Sequence, residues 1–131
     1  MDRLLPPIAT VVSFIDCINR GDLDGLAHLM AAEHRLQVFD EAPLEGKDAN
    51  VKAWRGYMTS FPSYVIYPKR LSSKGPVVAV LGTTTGSHLR LPDQEEVRLS
   101  LIWVSTVKDG KLVSWQLVKD TAEQRAALDL D

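Results

Sequence analysis

The chain has 131 residues, a length that fits one domain able to bury roughly two-thirds of its unfolded surface. Its 45% hydrophobic and 24% charged residues are those of an ordinary globule, and a net charge of −2 with mixed signs offers no basic stripe for nucleic acid. No apolar run reaches the roughly 20 residues of a membrane span, and Met1-Asp2-Arg3-Leu4-Leu5-Pro6-Pro7 lacks the cationic start of a signal peptide, so a cytoplasmic protein is expected.

Ile8, Val11, Val12, Ile15 and Ile18 recur at spacings of three and four, predicting a helix with Pro7 in its first turn and Gly21 at its C-terminal cap. Cys17, the single cysteine, lies among these apolar positions and is expected to pack inertly, with no disulfide or metal cluster. Asp22 reads as the N-cap of a short second helix that turns Leu23, Leu26, Ala27 and Met30 inward. A short strand around Leu36–Val38 is closed off by Pro43 and Gly46. A third helix over Asp48–Ser60 carries Val51, Trp54, Met58 and Phe61 on one side and stops at Phe61-Pro62.

Tyr64–Leu71 reads as a strand edged by Pro68, followed by a turn at Ser72-Ser73-Lys74-Gly75. Three long strands then follow, Val77–Leu89, Val97–Val107 and Leu112–Lys119, the last two joined by a Lys108-Asp109-Gly110-Lys111 hairpin turn. Helices followed by strands predict one α+β domain over residues 1–131, with three helices packed on a strongly curved, mostly antiparallel sheet. Alternation places Leu99, Leu101, Trp103 and Ser105 on one face, and Trp115, Leu117 and Lys119 on one face of the last strand. The inner wall of Leu101, Trp103, Trp115 and Leu117 is expected to roof a hollow closed by the helices, and an apolar hollow is the default ligand site.

Four segments in order resemble the SnoaL-like members of the nuclear transport factor two superfamily, which also contains ketosteroid isomerase and limonene epoxide hydrolase. They are Phe14-Ile15-Asp16-Cys17-Ile18-Asn19-Arg20-Gly21-Asp22, Pro43-Leu44-Glu45-Gly46, Gly82-Thr83-Thr84-Thr85-Gly86, and Asp109-Gly110-Lys111-Leu112-Val113-Ser114-Trp115 with Asp120 five residues on. The resemblance spans almost the whole chain. It implies a cone-shaped barrel with a deep pocket, a homodimer packed through the outer sheet face, and no cofactor or metal. The scaffold hosts isomerases, cyclases, dehydratases, hydrolases and binding domains, so activity must come from particular residues.

Carried over residue by residue, the steroid-isomerase donor tyrosine falls on Phe14 and its donor acid on Trp103, while the base falls near Phe39 or Asp40. The epoxide-hydrolase acids and arginine fall on Leu81, Thr83 and Leu117. Where polyketide cyclases of this type carry a histidine, this chain has Thr84, whereas a late-strand Asp matches Asp120.

Asp40 at a strand end and Asp120 past the last strand are therefore the candidate proton shuttles, each with a plain alternative as a turn residue or as a helix N-cap. Phe14, Phe39, Trp54, Trp103, Trp115 and Leu117 are the candidate walls of a ligand pocket, with Lys119 and His88 at its rim. His28 and His34 are expected at the surface, and three unpaired histidines make no metal site. Two readings follow. One is a cofactor-free acid/base enzyme of the isomerase, cyclase or dehydratase type acting on a small apolar cyclic, polyketide-like or steroid-like molecule. The other is a non-catalytic ligand-binding or dimerisation module of the same fold.

Overall fold

The computed structural model describes residues 6–131; residues 1–5, part of the stretch read above for a targeting signal, lie outside the described residues. Helix α1, Pro7–Arg20, opens on a proline and ends at Gly21, whose φ of 66° is the left-handed conformation that glycine adopts without strain. Helix α2, Leu23–His28, is capped by the Asp22 carboxylate, which accepts the Gly25 N–H at 2.9 Å. Strand β1, Met30–Val38, follows at once, so Met30 opens a strand instead of closing a helix. Then come β2, Leu44–Glu45, helix α3, Lys47–Ser60, strands β3, Val65–Lys74, and β4, Val77–Thr85, and one helical turn α4, Asp93–Glu96. Strands β5, Leu101–Lys108, and β6, Lys111–Lys119, precede the last helix α5, Ala122–Ala127.

The six strands form one curved, unclosed sheet in the order β2-β1-β6-β5-β4-β3, antiparallel except where β1 runs parallel to β6. Register shifts at Met30/Arg35, Pro68/Arg70 and Val104/Val107 are the irregularities that let a sheet bend. Gly82 sits beside the Pro68 shift, and a Cβ there would lie 2.4 Å from the Tyr67 carbonyl oxygen. Only glycine permits that approach of β4 to β3.

Two strands are shorter than their alternation suggests. β4 stops at Thr85 because Gly86, at φ 70°, turns the chain against the Ser63 carbonyl, where a side chain has no room. β5 starts at Leu101, and Val97 and Leu99 are 36% and 45% exposed, because α4 uses the preceding residues for a helical turn.

The concave face holds the main core, in which Val11, Phe14, Ile15 and Ile18 of α1 meet Val78, Val80, Trp103, Val107, Leu112 and Trp115 of the sheet. Asn19 fastens α1 to the sheet, donating to the Ile66 carbonyl at 2.9 Å and accepting the Ile66 N–H at 2.8 Å. Cys17 is buried in this core and its thiol is pushed up, chiefly by burial. On the convex face Ala79, Leu81 and Ile102 pack under Leu130, which follows α5. Ile102, on the face of β5 opposite Trp103, where the family resemblance implies a dimer contact, is 0% exposed within one chain. Among the described residues, no helix is long and apolar enough to cross a membrane.

His34 departs from its expected place at the surface: it is 0% exposed, because β1 begins early enough to put it mid-strand on the inner face. Its Nδ1 lies 2.9 Å from the Leu112 carbonyl oxygen, which can only accept, so the neutral ring carries its proton on Nδ1. Burial holds its pKa below the ordinary 6.5, against the opposing hydrogen bond to Leu112. The unfolded chain therefore binds this proton first as pH falls, and stability is lost from pH 6.5 downward until the depressed folded value is passed. This one group costs at most about 1.4 kcal/mol per pH unit across that window. Urea denaturation across pH 5 to 7.5 of wild type and His34→Gln checks it; an equal acid loss in the variant assigns the effect to other groups.

Candidate functional site

A cavity of about 180 Å³ opens beneath the curved sheet. Alternate residues of the strands supply one wall: Leu36 and Val38 of β1, Trp103 of β5, Trp115 and Leu117 of β6. Ala53, Trp54 and Tyr57 of α3 supply the other, with Tyr64 ahead of β3 and His88 after β4. Ala53 and His88 are exposed and mark the mouth. The Trp103 and Trp115 rings lie 6.3 Å apart with 24° between their planes and form the apolar back of the cavity. Trp54 Nε1 is buried and has no hydrogen-bond partner.

The polar groups of the lining gather at one side. Tyr57 Oη lies 2.9 Å from His88 Nδ1 and accepts the His88 backbone N–H at 3.2 Å. The same ring packs edge-on against Tyr64 at 5.0 Å and against His88 at 5.8 Å. Burial pushes the Tyr57 phenol above its ordinary value, opposed by the His88 amide and aided by the Glu96 carboxylate. Burial likewise raises Tyr64, with Tyr57 and Glu96 adding to the effect. Glu96, at the end of α4, is 1% exposed; its carboxylate accepts the Thr84 hydroxyl and, at 3.4 Å, the Ser87 N–H.

Trp54, Trp103, Trp115, Leu117 and His88 thus meet around one cavity. Phe14 stands one layer behind, 5.0 Å from the Trp115 ring and 5.9 Å from His34. Phe39 sits half-buried in the turn after β1 at φ 50°, and Lys119 is exposed at the end of β6; neither lines the cavity.

The two carboxylates read as proton shuttles are placed elsewhere. Asp40 is exposed in the turn after β1. Asp120 accepts two bonds of 2.6 Å from Arg125, which hold its carboxyl below the ordinary range. It is not a helix N-cap either: Thr121 has that place, its hydroxyl accepting the Gln124 N–H at 3.1 Å. Among the described residues, no carboxylate lines the cavity and no group of three His, Cys, Asp or Glu side chains is placed to hold a metal ion.

Sequence reasoning passed over Tyr57, Tyr64 and Glu96. Tyr57 had a signal, since it lies three residues after Trp54 on the same helix face. Glu96 had none, because its partners Thr84 and Ser87 are set by the turn at Gly86.

The model of the SnoaL-like domain family matches residues 11–115, and the chain belongs to that family. Among solved structures, a Sinorhizobium meliloti protein with a provisional assignment as a polyketide cyclase is 24% identical over 86% of this chain and 94% of its own, with a TM-score of 0.70. An uncharacterised cystatin-fold protein from Novosphingobium aromaticivorans is 15% identical, covering 88% and 99%, at a TM-score of 0.75. TerC, co-crystallised with polyporic acid, is 16% identical, covering 95% and 99%, at 0.71. At these identities the likeness is one of fold. No curated protein matches the sequence.

Proposed function

We propose that the cavity takes a small, flat, apolar ring molecule bearing an oxygen and moves a proton on it through Tyr57 and His88, in isomerase- or cyclase-type chemistry without a cofactor. The observation that carries this reading is the Tyr57–His88 hydrogen bond at the mouth of an otherwise apolar, tryptophan-walled lining. A dry apolar cavity of roughly 150 Å³ accommodates benzene, so about 180 Å³ with an open mouth suits a one- or two-ring core. TerC with its polyporic acid and the cyclase assignment of the S. meliloti protein support small-molecule work on this scaffold.

The chemistry follows from the bonding. Tyr57 Oη already accepts the His88 amide, and with the imidazole hydrogen on Nε2 its own proton has His88 Nδ1, 2.9 Å away, as acceptor. A ligand O–H, or a C–H beside a carbonyl, transfers its proton to Tyr57 Oη as the Tyr57 proton passes to His88 Nδ1. This leaves a ligand anion and an imidazolium at the exposed mouth, where water solvates the charge. The reverse transfer returns a proton to a different ligand atom, which is an isomerisation. Asp40 and Asp120 take no part in this relay.

Titration of 2-naphthol and naphthalene, followed by quenching of tryptophan fluorescence, tests the site. Both bind wild type, 2-naphthol about tenfold more tightly through one hydrogen bond to Tyr57. Tyr57→Phe removes that preference, while Asp40→Asn and Asp120→Asn leave both affinities unchanged. Absence of quenching by either compound refutes the reading.

We infer in addition a homodimer through the outer sheet face, where Val104, Gln116 and Val118 are half-buried and the two valines lie against the Ile102–Leu130 cluster. Wild type is then dimeric by sedimentation, and Val104→Asp with Gln116→Arg halves the mass. Ile102→Asp is the wrong probe, since it places a charge in the core of one chain. A monomeric wild type excludes the dimer.

A further inference from the structure

We propose that Glu96 is the positioning residue of the Tyr57–His88 pair, holding through Thr84 and Ser87 the segment that presents the histidine; this rests on the proton-transfer reading above. A carboxylate that is 1% exposed is costly to bury, and among the described residues no Lys or Arg forms an ion pair with it. What it holds is specific. One oxygen takes the hydroxyl of Thr84, which alternation puts on the inner face of β4 with Val78 and Val80. The other takes the Ser87 N–H at 3.4 Å. The next amide, that of His88, donates to Tyr57 Oη at 3.2 Å, and the one after, Leu89 N–H, donates to Ser87 Oγ at 3.2 Å.

Three successive amides are thereby fixed just past Gly86, where the backbone turns at φ 70° and the strand ladder has ended. His88 and Leu89 are exposed, so packing alone does not hold them. Glu96 converts an exposed turn into a fixed mount for Nδ1, and a donor–acceptor pair needs that precision to transfer a proton. The relay also requires one tautomer. For Tyr57 to donate to Nδ1, the neutral His88 ring must carry its hydrogen on Nε2. His34 has the opposite tautomer, with its proton on Nδ1.

Nitrogen-15 NMR of the three histidine side chains reads this directly, without a substrate. Wild type shows His88 with an unprotonated Nδ1 and His34 with an unprotonated Nε2. In Glu96→Ala the His88 signal becomes a tautomer average and its amide exchanges about tenfold faster, the loss of about one hydrogen bond, while His34 is unchanged and certifies the fold. Glu96→Gln keeps an acceptor for the Ser87 N–H and a donor to Thr84 Oγ1, and restores the wild-type signature. Should Glu96→Ala fail to fold, Thr84→Val removes one of the two anchors and gives a smaller shift in the same direction. A His88 signature untouched by Glu96→Ala or Thr84→Val overturns the proposal, as does a Glu96→Gln that behaves like the alanine variant. A failure of ring binding with an intact NMR response strikes the proposed function and leaves this one standing.

Discussion

Trp103→Ala lowers the unfolding free energy by about 3 to 5 kcal/mol, the range for truncating a buried aromatic. Trp103 is 2% exposed, stacks on Trp115 and walls the cavity, so its loss deletes transfer free energy and leaves a hole that α3 and the sheet cannot collapse to fill. The hole joins the existing cavity, whose lining includes Trp103. Leu99→Ala is the matched control. Alternation puts Leu99 on the face of Trp103, yet it is 45% exposed ahead of β5, and its truncation changes stability by no more than about 0.5 kcal/mol. Urea denaturation with comparable m-values measures both. Equal costs at the two positions would mean that the strand and its buried face extend back to residue 97.

The local signals in the sequence translate directly. Pro7, Gly21 and Asp22 stand where a helix start, a left-handed cap and an N-cap need them, and all three serve in those roles. Asp109 and Gly110 both have positive φ, the requirement behind the Asp-Gly hairpin signal. Alternation along β5 and β6 brings Trp103, Trp115 and Leu117 to one cavity because a strand's period is indifferent to what packs on it. What could not be read depends on where the chain turns in space. The alternation Val97, Leu99, Leu101, Trp103 is continuous, yet the strand starts only at Leu101 because α4 occupies the residues before it. The same turn buries Glu96, for which composition and spacing carry no sign. Asp120, a candidate proton shuttle or helix N-cap by its place past the last strand, is instead paired with Arg125, five residues on, which α5 brings back to it. The sequence offers carboxylates as acid/base groups; the cavity presents a phenol and an imidazole instead.

Tyr57→Phe lowers proton transfer on a bound ring ketone by about 10²- to 10⁴-fold, the usual contribution of a positioned acid/base group. The phenyl ring keeps its packing against Trp54, Phe61 and Tyr64, so binding of apolar rings and the fold persist while the relay loses its central oxygen. An assay with a surrogate ketone follows from the mechanism: deuterium uptake at the carbon beside the carbonyl of 2-tetralone in heavy water, read by NMR. Wild type accelerates this exchange above buffer. His88→Ala slows it as much as Tyr57→Phe, because the pair acts as one unit, and the double variant is no slower than either single one. Additive losses would mean two independent catalysts and would break the relay apart. Exchange that survives both substitutions but falls in Asp40→Asn or Asp120→Asn would return the chemistry to the carboxylates and require the turn after β1, or the Asp120–Arg125 pair, to rearrange when ligand binds.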